Sequence, residues 1–272
     1  MCGIIGFTGR KPAKDILIDG LERLEYRGYD SAGIALLNDD DTLTIRKKAG
    51  RVSELRELCK DGDYSSTCGI GHTRWATHGG VTDANAHPHR CGNVALIHNG
   101  IIENYSDIIR EYGLADKLVS ETDSEVVAAL LDTLYDGDPI AAIRKAVKII
   151  AGSFALCIMF ADRPGIIYAV RNVSPMVAAH SEEGSIIASD LTAIISFSKD
   201  YFVVPEYHIL TMTQEGIRVE DLKGNEVKPQ MLEITWDITA AQKGGFPHFM
   251  LKEIYEQPES LRNTITPRIV NS

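Results

Sequence analysis

A cysteine at position two is the first residue whose placement suits catalysis. Cys2 follows Met1 and precedes Gly3, and residues this small allow routine removal of the initiator methionine. The freed α-amino group would then lie beside the Cys2 thiol. Because such amines have a pKa of about 7.7–8.0, roughly a tenth are neutral at pH 7 and can accept the thiol proton. Cys2 is therefore a candidate nucleophile, although a cysteine at a strand start, taken alone, is more often a buried structural residue.

A second group of reactive residue types lies in Gly71-His-Thr-Arg-Trp-Ala-Thr-His-Gly79. This run has no helical or strand period, so packing alone does not explain its composition. The planar guanidinium of Arg74 suits a carboxylate, and Gly79-Gly80 can act as the hinge of a closing loop. The alternative is a polar surface loop with one satisfied arginine.

An Asn-Gly pair follows the apolar stretch from Val94 to His98. The Asn99 side chain and the Gly100 backbone both offer N–H donors, which could together form an oxyanion hole. Asn-Gly is also the most frequent signal of a tight hairpin. The dipeptide alone favours the turn.

The polar run from Ser120 to Glu125 precedes a helical pattern. Capping by Thr122 or Ser120, with acidic residues in the first helical turn, explains it well. A carboxylate in the same place can instead bind a substrate ammonium group.

The sequence gives little support for a metal or a cofactor. Several histidines and cysteines fall between residues 68 and 91, but their spacing matches no zinc finger or ribbon. The segment from Arg27 to Gly33 lacks a phosphate-loop pattern, and Arg27 is either structural or close to the nucleophile. We therefore expect neither a metal nor a cofactor.

Composition excludes several classes of function. The chain has 272 residues, a net charge of -10 and a pI near 5.3, which argues against a nucleic-acid binder. No signal peptide and no apolar run of about 20 residues is apparent, so no membrane partner is expected. Five cysteines without a C-x-x-C pair favour a reducing cytoplasm over a disulfide framework.

The elements that position these motifs show no regular alternation of strands and helices. Strands come first, two amphipathic helices follow, and strands return, which favours an α+β layered fold. The predicted strands are 4–8, 32–37, 42–46, 94–98, 154–160, 165–170, 185–188, 209–212 and 217–220. One predicted helix starts at Pro12 and stops at Gly28. Three others cover 123–135, 138–150 and 249–265, the last interrupted near Pro258. A loop is predicted over 237–247.

The ordered set of motifs resembles the class II, N-terminal-nucleophile glutamine amidotransferases. Within that class it is most similar to the glutaminase half of the glucosamine-6-phosphate synthases, the isomerizing glutamine–fructose-6-phosphate aminotransferases. The resemblance covers nearly the whole chain. Its motifs are Met1-Cys-Gly-Ile-Ile-Gly6, Leu24-Glu-Tyr-Arg-Gly-Tyr-Asp-Ser-Ala-Gly33, His72-Thr-Arg-Trp-Ala-Thr-His-Gly79, Ala86-His-Pro-His89, His98-Asn-Gly-Ile-Ile-Glu-Asn104 and Ser120-Glu-Thr-Asp123.

The resemblance implies a four-layer αββα sandwich with two antiparallel sheets, and it assigns roles to individual residues. Catalysis would involve Cys2 as nucleophile, Asn99 and Gly100 as oxyanion hole, and Arg27 beside the nucleophile. Substrate binding would involve Arg74 at the α-carboxylate of L-glutamine, Asp123 at the α-ammonium, and Thr77, His78 and Trp75 along the pocket, with Trp75 gating the ammonia path. His87 would be structural or peripheral.

The resemblance also implies a division of the chain and a missing partner. Residues 1–240 would form the glutaminase domain, and 241–272 a helix and linker toward a sugar-phosphate isomerase domain that lies in the full-length chain or in a partner. A homodimer is expected at full length. Two alternatives remain: the glutaminase of an amidophosphoribosyltransferase, and a non-catalytic module that keeps the fold.

Overall fold

In a computed structural model of the chain, residues 2–62, 64–235, 245–246 and 248–266 are described. The chain divides into two units, Met1–Glu233 and Ile234–Ser272. The domain boundary predicted at residue 240, and most of the loop predicted over 237–247, lie outside the described residues. The first unit contains all the elements that form the cleft described below.

Strands dominate the first unit. In chain order they are β1 (Gly3–Gly9), β2 (Ser31–Leu37), β3 (Leu43–Ala49), β4 (Cys68–Arg74), β5 (His89–Cys91), β6 (Val94–Ile102), β7 (Gly152–Phe160), β8 (Ile167–Asn172), β9 (Val177–Ser181), β10 (Gly184–Ala188), β11 (Asp200–Val203), β12 (His208–Thr213), β13 (Gly216–Asp221) and β14 (Leu232–Glu233). Its helices are α1 (Ala13–Leu24), α2 (Val52–Leu58), α3 (Tyr105–Tyr112), α4 (Asp123–Leu134) and α5 (Pro139–Ile149).

The strands form two antiparallel sheets. The larger has the order β14-β11-β9-β10-β1-β4-β2-β3, and the smaller has the order β13-β12-β8-β7-β6-β5. In the larger sheet β1 lies between β10 and β4, with Gly3 opposite Thr73. In the smaller sheet β6 pairs with β7, with Asn99 opposite Ala155. Much of the predicted site lies just before β1, at the end of β4 and within β6.

Alternation along the strands builds four layers. In β1, Ile4 packs into the apolar cluster between the two sheets, whereas Ile5 and Phe7 pack on the opposite face against α1 and α2. In β6, Leu96 faces α4 and α5 while Ile97 faces the other sheet. Since successive side chains of a strand point to opposite faces, each sheet buries both faces. The order is helices, sheet, sheet, helices, which confirms the predicted αββα sandwich.

Capping residues account for the two helices that the sequence predicted best. The Thr122 hydroxyl accepts a hydrogen bond from the Glu125 backbone N–H at the start of α4. The Asp138 carboxylate does the same for Ala141 at the start of α5, where Pro139 occupies the first turn. These local contacts satisfy N–H groups that have no partner within the helix.

Three local predictions were wrong. β6 does not end in a turn at Asn99-Gly100 but continues to Ile102. Residues 71–74, which showed no period, are the end of β4, a strand whose Gly69 and Gly71 break the apolar alternation. In the second unit, α6 (Phe249–Ile265) runs through Pro258 without interruption, so the missing N–H of one proline does not end it.

Candidate active site

A cleft with about 280 Å³ of open space joins most of the predicted site residues. Seven of them line it: Cys2, Arg74, Trp75, Thr77, His78, Gly100 and Asp123. Four further residues complete the lining: His87, His98, Thr122 and Ser124. Arg27 and Asn99 do not line the cleft, although both contact Cys2.

The Cys2 thiol lies immediately before β1, next to the end of β4. The backbone N–H of Trp75 donates to Cys2 Sγ over 3.2 Å, because the pairing of Gly3 with Thr73 brings these two chain ends together. Burial raises the pKa of the Cys2 thiol, and the Trp75 N–H offsets part of that rise. The thiol is therefore neutral near pH 7 and needs a base before it can attack.

Arg27 and Asn99 converge on the backbone carbonyl of Cys2. Arg27 Nε donates to this oxygen over 3.3 Å, and Asn99 Nδ2 donates to it over 3.1 Å. Arg27 also pairs with Asp190 at 3.0 Å. The contacts fix the main chain of Cys2 from two sides, which places its thiol.

Gly100 forms part of the cleft wall with its backbone. Its φ is +137°, and a Cβ at this position would lie 1.9 Å from the Ser153 carbonyl oxygen in β7. No other residue fits there, since both the conformation and the close approach exclude a side chain. The Asn-Gly pair that suggested a hairpin turn thus marks a position inside a strand that only glycine can occupy.

Arg74 ends β4 and is enclosed by the loop that follows. Its guanidinium donates to the carbonyl oxygens of His78, of Gly79 at 3.4 Å and of Gly80 at 3.1 Å. Burial lowers the pKa of Arg74, yet an arginine stays charged in proteins. These three contacts leave two of its five N–H donors for a ligand. Residues 75–80 are called the Arg74 loop below.

Side chains from other segments hold both ends of the Arg74 loop. Asp30 Oδ2 accepts from the Ala76 backbone N–H over 2.9 Å. At the other end, Glu121 Oε2 accepts from the Gly80 N–H over 3.2 Å, and Asn85 Nδ2 donates to the Gly80 carbonyl over 3.0 Å. Asn85 and Glu121 also bind each other twice. The roles of Asn85 and Asp30 were not predicted, because nothing in their local sequence pattern points to partners 5 and 46 residues away.

Asp123 places a carboxylate against the opposite side of the cleft. It is the first residue of α4 and only 5% exposed. Its Oδ2 accepts from the Ile102 backbone N–H at 2.8 Å, and its Oδ1 receives a long contact of 3.4 Å from Ser124 Oγ. One oxygen is thus anchored to β6 while the other has capacity for a cation.

The more exposed residues form the rim. Trp75 is 46% exposed and meets the Tyr29 ring edge-on at 5.8 Å. His78 Nδ1 lies 3.3 Å from Thr77 Oγ1, and its ring contacts Tyr105 edge-on. The rim therefore combines one large apolar surface with small polar groups.

Four buried histidines form a cluster at the cleft, and two of them, His87 and His98, line it. They are His72, His87, His89 and His98. Burial lowers the pKa of each, to about 3 for His72 and well below the usual value for His87 and His89. All four are therefore neutral at pH 7. His87 lines the cleft, so it is nearer the site than the resemblance implied.

The described ranges contain neither a metal-binding cluster nor a membrane-spanning helix. No group of three or more histidine, cysteine or acidic side chains there has a geometry that suits a metal ion. None of the helices in that part of the chain is both long and apolar enough to cross a membrane.

The chain is similar in sequence to known glutamine amidotransferases. The sequence profile of the glutamine amidotransferase domain matches residues 72–196. Glutamine–fructose-6-phosphate aminotransferase (isomerizing) of Clostridium acetobutylicum is 43% identical over 99% of the chain, and that of Thermus thermophilus is 44% identical over 99%. The chain spans 45% of the length of each of these relatives.

A solved structure supports the fold independently. Glutamine phosphoribosylpyrophosphate amidotransferase from B. subtilis, complexed with ADP and GMP, superimposes with a TM-score of 0.71 at 24% identity. The match covers 83% of this chain and 50% of the other. At this identity the likeness concerns the fold alone.

Proposed function

Since the chain belongs to the class II, N-terminal-nucleophile glutamine amidotransferases, we propose that it hydrolyses the side-chain amide of L-glutamine with Cys2 as nucleophile. The observation that carries this proposal is the meeting of three groups in one cleft: the Cys2 thiol, the Arg74 guanidinium and the Asp123 carboxylate. They match the three parts of the substrate, which are an amide carbon, an α-carboxylate and an α-ammonium group.

The reaction begins with removal of the thiol proton. With Met1 removed, the α-amine of Cys2 takes that proton, and the sulfur attacks the amide carbon. The carbonyl π electrons move to oxygen, and the resulting negative charge is stabilised by Asn99 Nδ2–H and the Gly100 backbone N–H. The protonated amine supplies the proton with which ammonia leaves, and a γ-glutamyl thioester remains.

The second half of the reaction repeats the pattern with water. The α-amine takes a proton from water as the oxygen attacks the thioester carbon, and the C–S bond breaks. The sulfur recovers a proton, and glutamate is released. A neutral base is required in the first half because burial keeps the thiol protonated, and in the second half because the attacking water must lose a proton.

Substrate binding is shared between the two sides of the cleft. Arg74 keeps its positive charge and has N–H donors beyond its loop contacts, which suits the α-carboxylate. Asp123 Oδ1 accepts the ammonium group, and its other oxygen keeps the Ile102 hydrogen bond. Thr77 and His78 add polar contacts at the rim, and Trp75 covers the exit path of ammonia.

The acceptor of the ammonia is proposed from the relatives. Their names specify fructose 6-phosphate, and they are about twice as long as this chain. We assign the transfer step to a sugar-phosphate isomerase domain, which would correspond to the part of the relatives that this chain does not span or would lie in a partner chain. The homodimer and the cytoplasmic location remain predictions.

The competing acceptor is a phosphoribosyl pyrophosphate. The B. subtilis structure with that activity shares the fold at 24% identity, whereas the fructose-6-phosphate relatives reach 43–44%. A non-catalytic module is disfavoured because every expected catalytic position is filled: Cys2, Arg74, Asn99, Gly100 and Asp123.

The test is glutamate release from L-glutamine by the purified chain, with intact mass recorded on the same sample. We expect activity only where Met1 is absent, and none for Cys2→Ala. Cys91→Ala is the matched control, because Cys91 is also partly exposed but lies outside the cleft. A sample without Met1 that neither releases glutamate nor forms a γ-glutamyl adduct would contradict the proposal.

A further inference from the structure

We propose that His72 is a positioning residue of this glutaminase, which orients the Asn99 amide so that its N–H donors face the nucleophile. The proposal rests on the hydrolysis assigned above and deepens it. His72 lies in β4 between β1 and β2 and is 0% exposed. His72 is not among the residues that line the cleft, so it would act through its hydrogen bond to Asn99.

The hydrogen bonds of His72 determine its tautomer. Nε2 lies 3.0 Å from the His98 carbonyl oxygen and 3.0 Å from Asn99 Oδ1. The His98 carbonyl oxygen is an acceptor whichever way the Asn99 amide faces, so Nε2 must carry the proton. Nδ1 is buried without a hydrogen-bond partner among the described residues, which fits a nitrogen that has no proton to donate. The ring is a neutral donor whose one N–H is shared between the His98 carbonyl and the Asn99 amide.

This donor settles which way the Asn99 amide faces. With Oδ1 held by His72, Nδ2 lies toward Cys2 and donates one hydrogen to the Cys2 carbonyl over 3.1 Å. An amide nitrogen has two hydrogens, so the second is available to the oxyanion. In the flipped amide, Nδ2–H would oppose Nε2–H, and Oδ1 would oppose the Cys2 carbonyl. Two repulsive contacts therefore replace two hydrogen bonds.

A second histidine holds the His72 ring in its plane. His87 stacks on His72 with ring centroids 4.1 Å apart at 27°. The His98 backbone N–H donates to His87 Nδ1 over 3.3 Å, so that His87 is itself fixed. Neutrality matters here, because a charged ring at His72 would be a second cation near the buried Arg74.

The first test compares two variants with the wild type in glutamine turnover. His72→Leu removes the donor, and we expect kcat to fall by about tenfold or more, though less than the roughly 10²–10³ for loss of the oxyanion donor itself. KM for glutamine should stay within about threefold, since neither Arg74 nor Asp123 is touched. His72→Gln restores an N–H near the position of Nε2 and should recover most of the rate.

The decisive readout is coupling to Asn99. In an Asn99→Ala background, His72→Leu should cause no further loss of kcat, since His72 acts only through that amide. His89→Leu is the matched control, because His89 is equally buried but bonds Thr122 Oγ1 at the start of α4. Its effect should fall on KM and persist in the Asn99→Ala background. Equal, additive kcat losses for both histidines would overturn the proposal.

One measurement is independent of turnover. The ¹⁵N chemical shifts of the His72 ring in the wild-type chain should report the Nε2–H tautomer, and Nδ1–H would refute the positioning role. If the wild type released no glutamate while the tautomer was as expected, the proposed activity would fail and the orientation of Asn99 would stand. The same spectrum decides the case if His72→Leu does not fold.

Discussion

Two sides of the candidate site are held by different kinds of contact. We call Cys2, Asn99 and Gly100 the strand wall, and the Arg74 loop the loop wall. Cys2 lies immediately before β1, which pairs with β10 and β4, and Asn99 and Gly100 lie in β6 at positions paired with β7. The Arg74 loop has no ladder, and depends on side chains that hold its ends and on the guanidinium it encloses. In the proposed reaction, the groups that act on the reacting amide therefore lie on or beside strands, whereas the arginine that would bind the substrate carboxylate is enclosed by a loop.

The strand wall predicts the largest effect. Asn99→Ala should lower kcat by about 10²–10³ with KM nearly unchanged, because the lost donor acts on charge present only in the transition state. Asn104→Ala is the control. Among the described residues, that side chain hydrogen-bonds the backbone of Ile149 and Ala151, so turnover should persist while stability falls. Steady-state kinetics that showed a KM effect for Asn99→Ala would remove the distinction between the walls.

The loop wall predicts the opposite division of effects. Arg74→Lys replaces a planar group that contacts three carbonyls by a single ammonium, and contacts of charged donors contribute about 1.5–3 kcal/mol. We expect KM for glutamine to rise about 10–100-fold, with a smaller change in kcat. Titration with glutamine decides this, and a loss confined to kcat would argue that Arg74 serves chemistry rather than binding.

Acid should destabilise the folded chain through its buried histidines, among them His72. The unfolded chain binds a proton at His72 below about pH 6.5, whereas the folded chain does so only near pH 3. Stability is therefore constant above pH 6.5 and falls as the pH drops from there toward 3. Between pH 7.5 and 5.5 the contribution is about 1.4 kcal/mol for this histidine.

Urea denaturation at the two pH values measures this contribution. The His72→Gln variant should lose about 1.4 kcal/mol less than wild type over the interval. Identical pH dependence of the two proteins would mean that His72 titrates normally in the folded state.

The smallest effect tests the loop itself. Gly79 has a φ of +74°, and an added Cβ would lie 2.8 Å from Asn85 Nδ2. Gly79→Ala should cost about 1 kcal/mol and raise KM about fivefold, as strain in the bound loop favours its opening. Gly80→Ala meets only ordinary contact at 3.9 Å from Thr82 and should change KM less. Equal effects at both positions would attribute the loss to loop flexibility instead of strain.

Several features of the fold were accessible from the sequence because their causes are local. Thr122 and Asp138 cap the helices that they precede, and the apolar stripes behind them are regular. The strand β4 was missed because Gly69 and Gly71 are chosen for close packing against neighbouring strands, and that requirement is invisible in one segment. The Asn99-Gly100 turn was wrong for the same reason, since Ser153 on β7 is what excludes a side chain.

The site was predicted as a set of motifs rather than as a geometry. The ordered motifs pointed to Cys2, Arg74 and Asp123, and the structure places all three in one cleft. Their supports were not predicted. His72 was read as one residue of an unusual run, and Asn85 was not singled out, since each matters through a partner remote in sequence.

The hydrogen bond from Asn99 to the Cys2 carbonyl has a consequence for folding kinetics. It joins a strand of the larger sheet to a strand of the smaller one across 97 residues. Contacts of such high sequence separation form late, because chain entropy must be lost before they contribute. An intermediate in which the two sheets have not docked therefore lacks the contact between Asn99 and Cys2. In refolding, glutamate release should return only with the slowest phase, as a reporter that both sheets have docked.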